Sequence, residues 1–444
     1  MTNSVSVKKH SKNKQWVPQV LRFVDSYTGF ILAFAVLVAL VVGVKTGMNE
    51  PPAFENGSTD SWWVIATNLI HGKGYSLCIP RYFPFCSEQN QTTAAREPVP
   101  VFLFSLVALV GGESLWAAAV FELIIYLAIL LVTYYLTKEW AGKRVALLAA
   151  FIWAVYLPAT RLIPQASGDL LAGFAVNFGM FYVMRARKTN NASEWLLAGL
   201  WFGIGVMSRS AVLIIVGVVI AGQAIELFMK KENLKNVIYP SLIVGCVVVA
   251  LMTPWVVRNR IVFGRPIVGS SLVGYNIFRQ SYAFRGEDYL RYVGGAEGQE
   301  AVNFLLEEQK GQLTGKENEA QMDLIYQKEG IKLIQAYPEK YLRASGYRFF
   351  SLWFNWKIPE GNGHQTTRLG YAIMIFHALL MLLALKGMQG KNLWRTWPFW
   401  ASLFLFSLLY MAIESQIRYT IPVIPMLISL SSAGLASILE DIFM

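Results

Sequence analysis

Apolar runs close to the roughly 20 residues that a helix needs to cross a bilayer recur along the whole chain. They fall at 27–47, 114–136, 143–159, 169–185, 194–208, 210–229, 236–256, 367–387, 396–413 and 419–440, which predicts ten spans. The runs are continuous, without the alternation of a transmembrane strand, and a helix satisfies its own backbone hydrogen bonds in lipid. The expected fold class is therefore all-α, a polytopic transmembrane helical protein. Composition agrees: 55% hydrophobic and 15% charged residues lie far from soluble averages.

Basic residues set the expected orientation. Lys138, Lys143 and Arg144, then Arg185, Arg187 and Lys188, then Lys230, Lys231 and Lys235, then Lys386, Lys391 and Arg395 occupy every second connection, as cytoplasmic loops do. The N-terminal Lys8, Lys9, Lys12 and Lys14 fall on that side too, and ten spans return the C-terminus to it. The net charge of +11 is thus read as a topology signal; its dispersal over many short loops argues against nucleic acid as a partner. The first apolar run follows a polar stretch and lacks a small-residue cleavage pattern, so it is expected to act as an uncleaved anchor.

This map treats 1–444 as one membrane-embedded domain with two large external segments, 48–113 and 257–366. The second is expected to hold helices near 299–310 and 318–346, the latter running into an interfacial aromatic stretch, 341–356, with Arg343 and Arg348. Cys78 and Cys86 share the first external segment, where they either bridge or remain two thiols; Cys246 stands alone in a span. His10, His71, His364 and His377 are scattered, and no ligand cluster calls for a metal. No cofactor is expected. No internal repeat at a fixed period marks the inverted halves of a transporter.

Chemically suggestive residues gather on the external side. Asp60 lies in a polar loop beyond the first span, ahead of ATNLIHGKGYS, Ala66 to Ser76, and of Arg96, Glu97 and Pro98. That stretch, followed by REPVPVFLFSLVALVGG, resembles the first external loop and juxtamembrane helix of GT-C membrane glycosyltransferases, in particular the dolichyl-phosphate-mannose protein mannosyltransferase and aminoarabinose transferase group. MTPWVVRNRIVFGRPIVGSSLVGYN, Met252 to Asn276, is similar to their PW-x-x-RN junction. GVMSRSAVLI, Gly205 to Ile214, resembles their arginine-bearing connection, and RYTIPVIPML, Arg418 to Leu427, the start of their last helix.

The resemblance implies a GT-C fold and an inverting transferase that moves a sugar from a polyprenyl-phosphate donor to a lipid-linked glycan, lipid or protein acceptor. Such attack passes through an oxocarbenium-like state and needs a carboxylate to take the acceptor proton. The family's loop acid implies Asp60 as that base, with Glu55 as a substitute because the family's acid sits slightly further upstream; Asp60 also suits a helix N-cap. Asp169, at the mouth of the fourth span, is a second candidate catalytic acid, since an ionisable group there favours a wet or paired setting. Glu122, inside the second span, is read as pairing to another helix.

A lipid-phosphate leaving group calls for fixed cations, and guanidinium groups hold phosphate bidentately. Arg96, Arg209, Arg258 and Arg418 sit at external helix ends, against the positive-inside pattern, and are the donor-phosphate candidates. Glu97, Asn259, Tyr419 and His364 join Glu55 as candidate substrate contacts, with Glu360 and Asn362 beside His364 in the same loop. The expected location is a bacterial inner membrane, with the active site outside and both termini cytoplasmic. Two other functions share many of these features: a surface-polysaccharide polymerase or ligase acting on a diphosphate-linked glycan, and a lipid or solute transporter.

Overall fold

The computed structural model describes residues 26–47, 61–86, 91–230, 234–293, 298–355, 368–390 and 392–443. Among them the chain is helical, with a single isolated bridge between Ser76 and Thr92 and no strand. The helices, in order, are α1 (Thr28–Gly47), α2 (Ser61–Ile70), α3 (Pro98–Gly111), α4 (Leu115–Ala141), α5 (Lys143–Ala154), α6 (Gly168–Thr189), α7 (Ala192–Val206) and α8 (Leu213–Met229). They continue as α9 (Leu234–Phe263), α10 (Val273–Tyr282), α11 (Gly298–Glu308), α12 (Glu319–Ala336), α13 (Pro338–Phe354), α14 (Arg368–Gly387), α15 (Trp397–Ala412) and α16 (Ile424–Phe443).

A helix forms at each of the ten predicted places, yet the count of ten spans is not reached. Six described helices are long and apolar enough to cross a membrane: Thr28–Gly47, Leu115–Ala141, Ser210–Met229, Ile238–Phe263, Arg368–Gly387 and Ile424–Ile442. A seventh arises if Lys143–Ala154 and Leu157–Gln165 are taken as one span, bent by 50°. Pro158 and Pro164 stand in the second arm of that pair, and a proline has no N–H to continue the ladder. Of the remaining three, α7 and α15 have 15 and 16 residues, short of a full crossing. The other, α6, is long enough but carries Asp169, Asn177, Arg185, Arg187 and Lys188.

Packing follows from side-chain size. Helix α1 buries Ala35, Ala39, Gly43 and Gly47 and exposes Phe30, Phe34, Leu37, Val41 and Val44. Small residues four apart form one stripe, which lets backbones approach where lipid gives no drive to bury large side chains. A Cβ on Gly43 would meet Leu123 at 2.7 Å, and one on Gly47 would meet the Thr160 carbonyl at 2.9 Å. The same device joins α14 to α16: a Cβ on Gly387 would lie 2.0 Å from the Leu430 carbonyl, and one on Gly434 would lie 1.9 Å from that of Leu383. The exposed apolar side chains form the surface that an integral membrane protein offers to acyl chains.

A second core gathers at one end of the bundle, where α2 and α3 meet α10 and α12 around Trp62, Trp63, Phe104, Tyr275, Phe278 and Tyr326. Cys78 and Cys86 are bridged there, and the Tyr326 hydroxyl donates to the Tyr82 carbonyl at 3.0 Å. The helix expected over 318–346 is two helices. Pro338 opens α13, and Tyr337 before it leaves the helical region at φ −130°, ψ 56°, as a residue preceding proline must. Helix α13 is amphipathic as expected, burying Ala344, Arg348, Leu352 and Trp353 and exposing Leu342, Tyr347 and Phe350.

Candidate active site

Four helix ends converge on Gly168, at the start of α6. A Cβ there would lie 2.7 Å from the Ser208 carbonyl, 3.0 Å from Pro100 Cγ and 3.6 Å from Trp62 Nε1. Only glycine allows the α7–α8 loop, the start of α3 and the first turn of α2 to come this close. The neighbouring residue, Asp169, is fully buried. One oxygen of its carboxylate binds the Arg209 guanidinium through both Nε and Nη2. The ordering of α6 is fixed from below by Glu122, a fully buried residue of α4 whose Oε1 accepts from the Ser167 amide at 2.9 Å. The expected role of Glu122 in joining helices is what the structure shows.

Arg209 is placed from a second direction by aromatic rings. Its guanidinium lies 4.7 Å from the centroid of Tyr419, which stacks on Tyr410 at 4.8 Å. The turn that carries Tyr419 is held against α6 by Asn177, whose Nδ2 donates to the Gly173 and Pro422 carbonyls at 2.7 and 2.9 Å. Arg418 lies 5.3 Å from the same Tyr419 ring. Burial opposes a charge on Arg209, but the facing Asp169 carboxylate outweighs it and holds the guanidinium firmly protonated.

Glu97 closes the arrangement. It immediately precedes α3 and makes no cap bond to it; instead its Oε1 accepts from the amide and hydroxyl of Ser210, at 3.0 and 3.1 Å. Nearby, Arg279 of α10 pairs with Glu414, while its Nε donates to Asn276 Oδ1 at 3.2 Å. Burial would raise the Glu414 pKa, yet Arg279 beside it holds the carboxyl below its ordinary value.

These groups border a cavity of about 700 Å³. Glu97, Arg209, Ser210, Asn276, Glu414, Tyr410 and Tyr419 are among its polar lining; Leu213, Ile214, Gly217, Val218 and Ala221 of α8 and Leu405 and Leu409 of α15 line an apolar part. From Leu213 to Ala221 the helix rises about 12 Å, so an apolar limb runs along α8 and α15 from a charged head. Arg418 lines a separate cavity of about 260 Å³ with Arg161, Gln165, Asn355 and Gln416.

The other sequence candidates lie elsewhere. Arg96 donates from Nε to Ser61 Oγ at 2.6 Å and stacks 4.4 Å over Trp62. Arg258 donates to the Thr93 carbonyl at 2.8 Å and sits among Tyr75, Trp255 and Phe263. Asn259 donates to the Ile267 carbonyl at 2.9 Å. Arg96 thus ties the segment before α3 to α2, Arg258 ties that segment to the end of α9, and Asn259 ties the end of α9 to the loop after it; none of the three lines the Arg209 cavity. Asp60, Glu55, Glu360, Asn362 and His364 lie outside the described residues. Ser61, next to Asp60, is buried against Arg96.

Sequence reasoning passed over Arg279, Glu414, Glu319 and Asp323. Glu319 Oε2 accepts from the Ala94 amide at 2.8 Å and from Ser271 Oγ at 2.7 Å. Asp323 Oδ1 accepts from the Gly274 amide at 2.6 Å, at the start of α10. Burial pushes Glu319 up to about 7 and Asp323 up to about 6, against their hydrogen bonds. An acid directly after the apolar run 396–413 was the one available signal, and it marks Glu414.

Residues 95–257 match the model of the dolichyl-phosphate-mannose-protein mannosyltransferase family, a stretch that contains Glu97, Asp169 and Arg209. No curated protein matches the sequence. The fold is similar to that of the archaeal oligosaccharyltransferase AglB from Archaeoglobus fulgidus in complex with an inhibitory peptide and a dolichol-phosphate, with a TM-score of 0.57 and 17% identity over 94% of this chain and 51% of that one. The same oligosaccharyltransferase tethered to an acceptor peptide matches with a TM-score of 0.57 and 15% identity, over 95% of this chain and 50% of that one. The chain thus spans about half the length of these proteins. ArnT from Cupriavidus metallidurans bound to undecaprenyl phosphate gives a TM-score of 0.40 and 11% identity over 92% of this chain and 78% of that one. The fold of this chain is thus of the GT-C kind, and residues 95–257 carry the sequence pattern of the dolichyl-phosphate-mannose-protein mannosyltransferase family.

Proposed function

We propose that the chain is a glycosyltransferase that moves a sugar from a polyprenyl-phosphate donor to an acceptor at the extracytoplasmic face of the membrane, with inversion. The observation that carries this reading is the cavity in which a held guanidinium, Arg209, and a carboxylate, Glu97, head an apolar limb between α8 and α15. A single-chain lipid phosphate has that same division of chemistry. The dolichol-phosphate bound by the similar oligosaccharyltransferase supports it.

In this reading the polyprenyl chain lies along the limb and its phosphate faces Arg209. As the bond from the anomeric carbon to the phosphate oxygen breaks, the electron pair leaves with the phosphate. Arg209 neutralises the growing charge, and because it is already oriented by Asp169 and Tyr419 it does so without reorganisation. Asp60 takes the proton from the acceptor hydroxyl as that oxygen attacks the opposite face of the sugar. The position of its neighbours supports the assignment, since Ser61 is buried and Trp62 reaches the Gly168 junction. Asp169 serves as the positioning residue of Arg209, and Glu97, held by Ser210, contacts the substrate.

The test is transfer by the purified, reconstituted chain from a polyprenyl-phosphate sugar, with glycoside and free polyprenyl phosphate formed one for one. Arg209→Gln should lower the rate by about 10²–10³-fold, the usual cost of one transition-state donor. Asp60→Asn should abolish transfer with the fold retained. The competing reading is a ligase acting on a diphosphate-linked glycan, for which Arg418, the second guanidinium against the Tyr419 ring, would have to serve from the separate cavity that it lines. Full activity of Asp60→Asn on a diphosphate-linked glycan would decide for it.

A further inference from the structure

A second hollow, of about 490 Å³, opens beside the reaction cavity and is bordered by Arg279, Tyr282, Arg285, Tyr292, Glu300 and Tyr337. We propose that it is a saccharide-binding vestibule that holds the glycan portion of the acceptor, an inference that rests on the glycosyltransferase reading above.

Its position is the first argument. Arg279 borders this hollow, and its two partners, Glu414 and Asn276, border the reaction cavity. One ion pair therefore separates the two spaces, and a ligand in the vestibule lies directly against the place where the acceptor hydroxyl is needed.

Its chemistry is the second. Three phenol rings, two guanidinium groups and a carboxylate supply nearly the whole lining, and the other contributors are Ala283 and Gly286. No long aliphatic side chain is present to hold an acyl chain, so a lipid finds nothing here that the α8–α15 limb does not offer better. Sugar rings have apolar C–H faces edged by hydroxyls, which suit aromatic faces flanked by charged donors and acceptors.

Its rigidity is the third. The Tyr282 hydroxyl donates to Glu300 Oε1 at 3.1 Å, and the Arg285 guanidinium lies 3.7 Å over the Phe304 ring and 5.5 Å from that of Tyr282. Side chains held in this way spend little freedom when a ligand arrives. The volume falls within the usual range of about 300–1,000 Å³ for small-ligand sites.

The experiment uses the full chain in lipid nanodiscs on an array of defined neutral and uronic-acid oligosaccharides, with a peptide array in parallel. Wild-type protein should bind one or more oligosaccharides. Tyr292→Ala and the milder Arg285→Gln should each weaken that binding at least tenfold, while binding of polyprenyl phosphate, hydrolysis of the donor with water as acceptor, and the melting temperature stay unchanged. Absence of oligosaccharide binding, binding that survives both variants, or peptide binding that the variants abolish would overturn the proposal. A chain that binds oligosaccharides in this way but never turns over a polyprenyl-phosphate sugar would instead retire the glycosyltransferase reading and leave the vestibule standing.

Discussion

Asp169 is the residue on which the geometry of the site turns. Its carboxylate is fully buried and its counter-charge is the Arg209 guanidinium, so removing either partner leaves an uncompensated charge. Such breaks cost about 3–5 kcal/mol in buried settings. Asp169→Ala should therefore lower the melting temperature and abolish transfer together. Asp169→Asn is the more telling variant, because it keeps the volume and one oxygen; thermal unfolding should show a smaller loss, with kcat falling more than donor affinity. Asp169, Arg209, Glu97, Arg418 and Tyr419 were all legible as charged or polar residues at span ends. The partners were not legible, because Arg279 and Glu414 stand 135 positions apart and no local period connects them. Arg96 and Arg258 show the opposite failure: arginines at helix ends whose contacts are ring faces, the Ser61 hydroxyl and the Thr93 carbonyl around the first loop.

At the scale of elements, α12 is fastened by two acids one turn apart, the buried Glu319 to Ala94 and Ser271, and the half-buried Asp323 to the first amides of α10. Burial raises both carboxyls above their ordinary values of 4.5 and 3.8, to about 7 and about 6. Over that window the folded form binds protons that the unfolded form has released. Stability then falls as pH rises, because the slope follows the protons bound unfolded minus those bound folded. The fastening is at full strength below about pH 4 and is lost as pH passes through about 7. Hydrogen exchange at the Gly274 and Tyr275 amides, corrected for the intrinsic rate, should show stronger protection at pH 5.5 than at pH 8. Glu319→Gln should flatten most of that difference. A second prediction concerns α14 and α16, whose backbones touch at Gly387 and Gly434. Gly434→Leu forces them apart and should lower the melting temperature sharply, as overpacking of about 1–3 kcal/mol or more implies. The helices themselves were legible as apolar runs. Their number was not, since a run records hydrophobicity and is blind to the proline bend at 157–165 and to the shortness of α7 and α15.

For the whole molecule, one cavity joins a charged head to an apolar limb. Gly217 offers a direct probe of the lipid limb, because it borders the cavity and a Cβ added there meets no atom within 4 Å. Gly217→Leu should leave stability unchanged or slightly higher, since leucine is the better helix former, yet raise KM for a polyprenyl donor while a short-chain donor is used as before. The central claim is that Asp60 serves as the base on the acceptor while Arg209 holds the donor phosphate. A cryo-EM structure of the full chain with polyprenyl phosphate bound tests it most directly. The account predicts the phosphate within hydrogen-bond distance of Arg209, its chain along Leu213 to Ala221, and the Asp60 carboxylate opening onto the same cavity; a phosphate held elsewhere, or an Asp60 turned to bulk water, would contradict it.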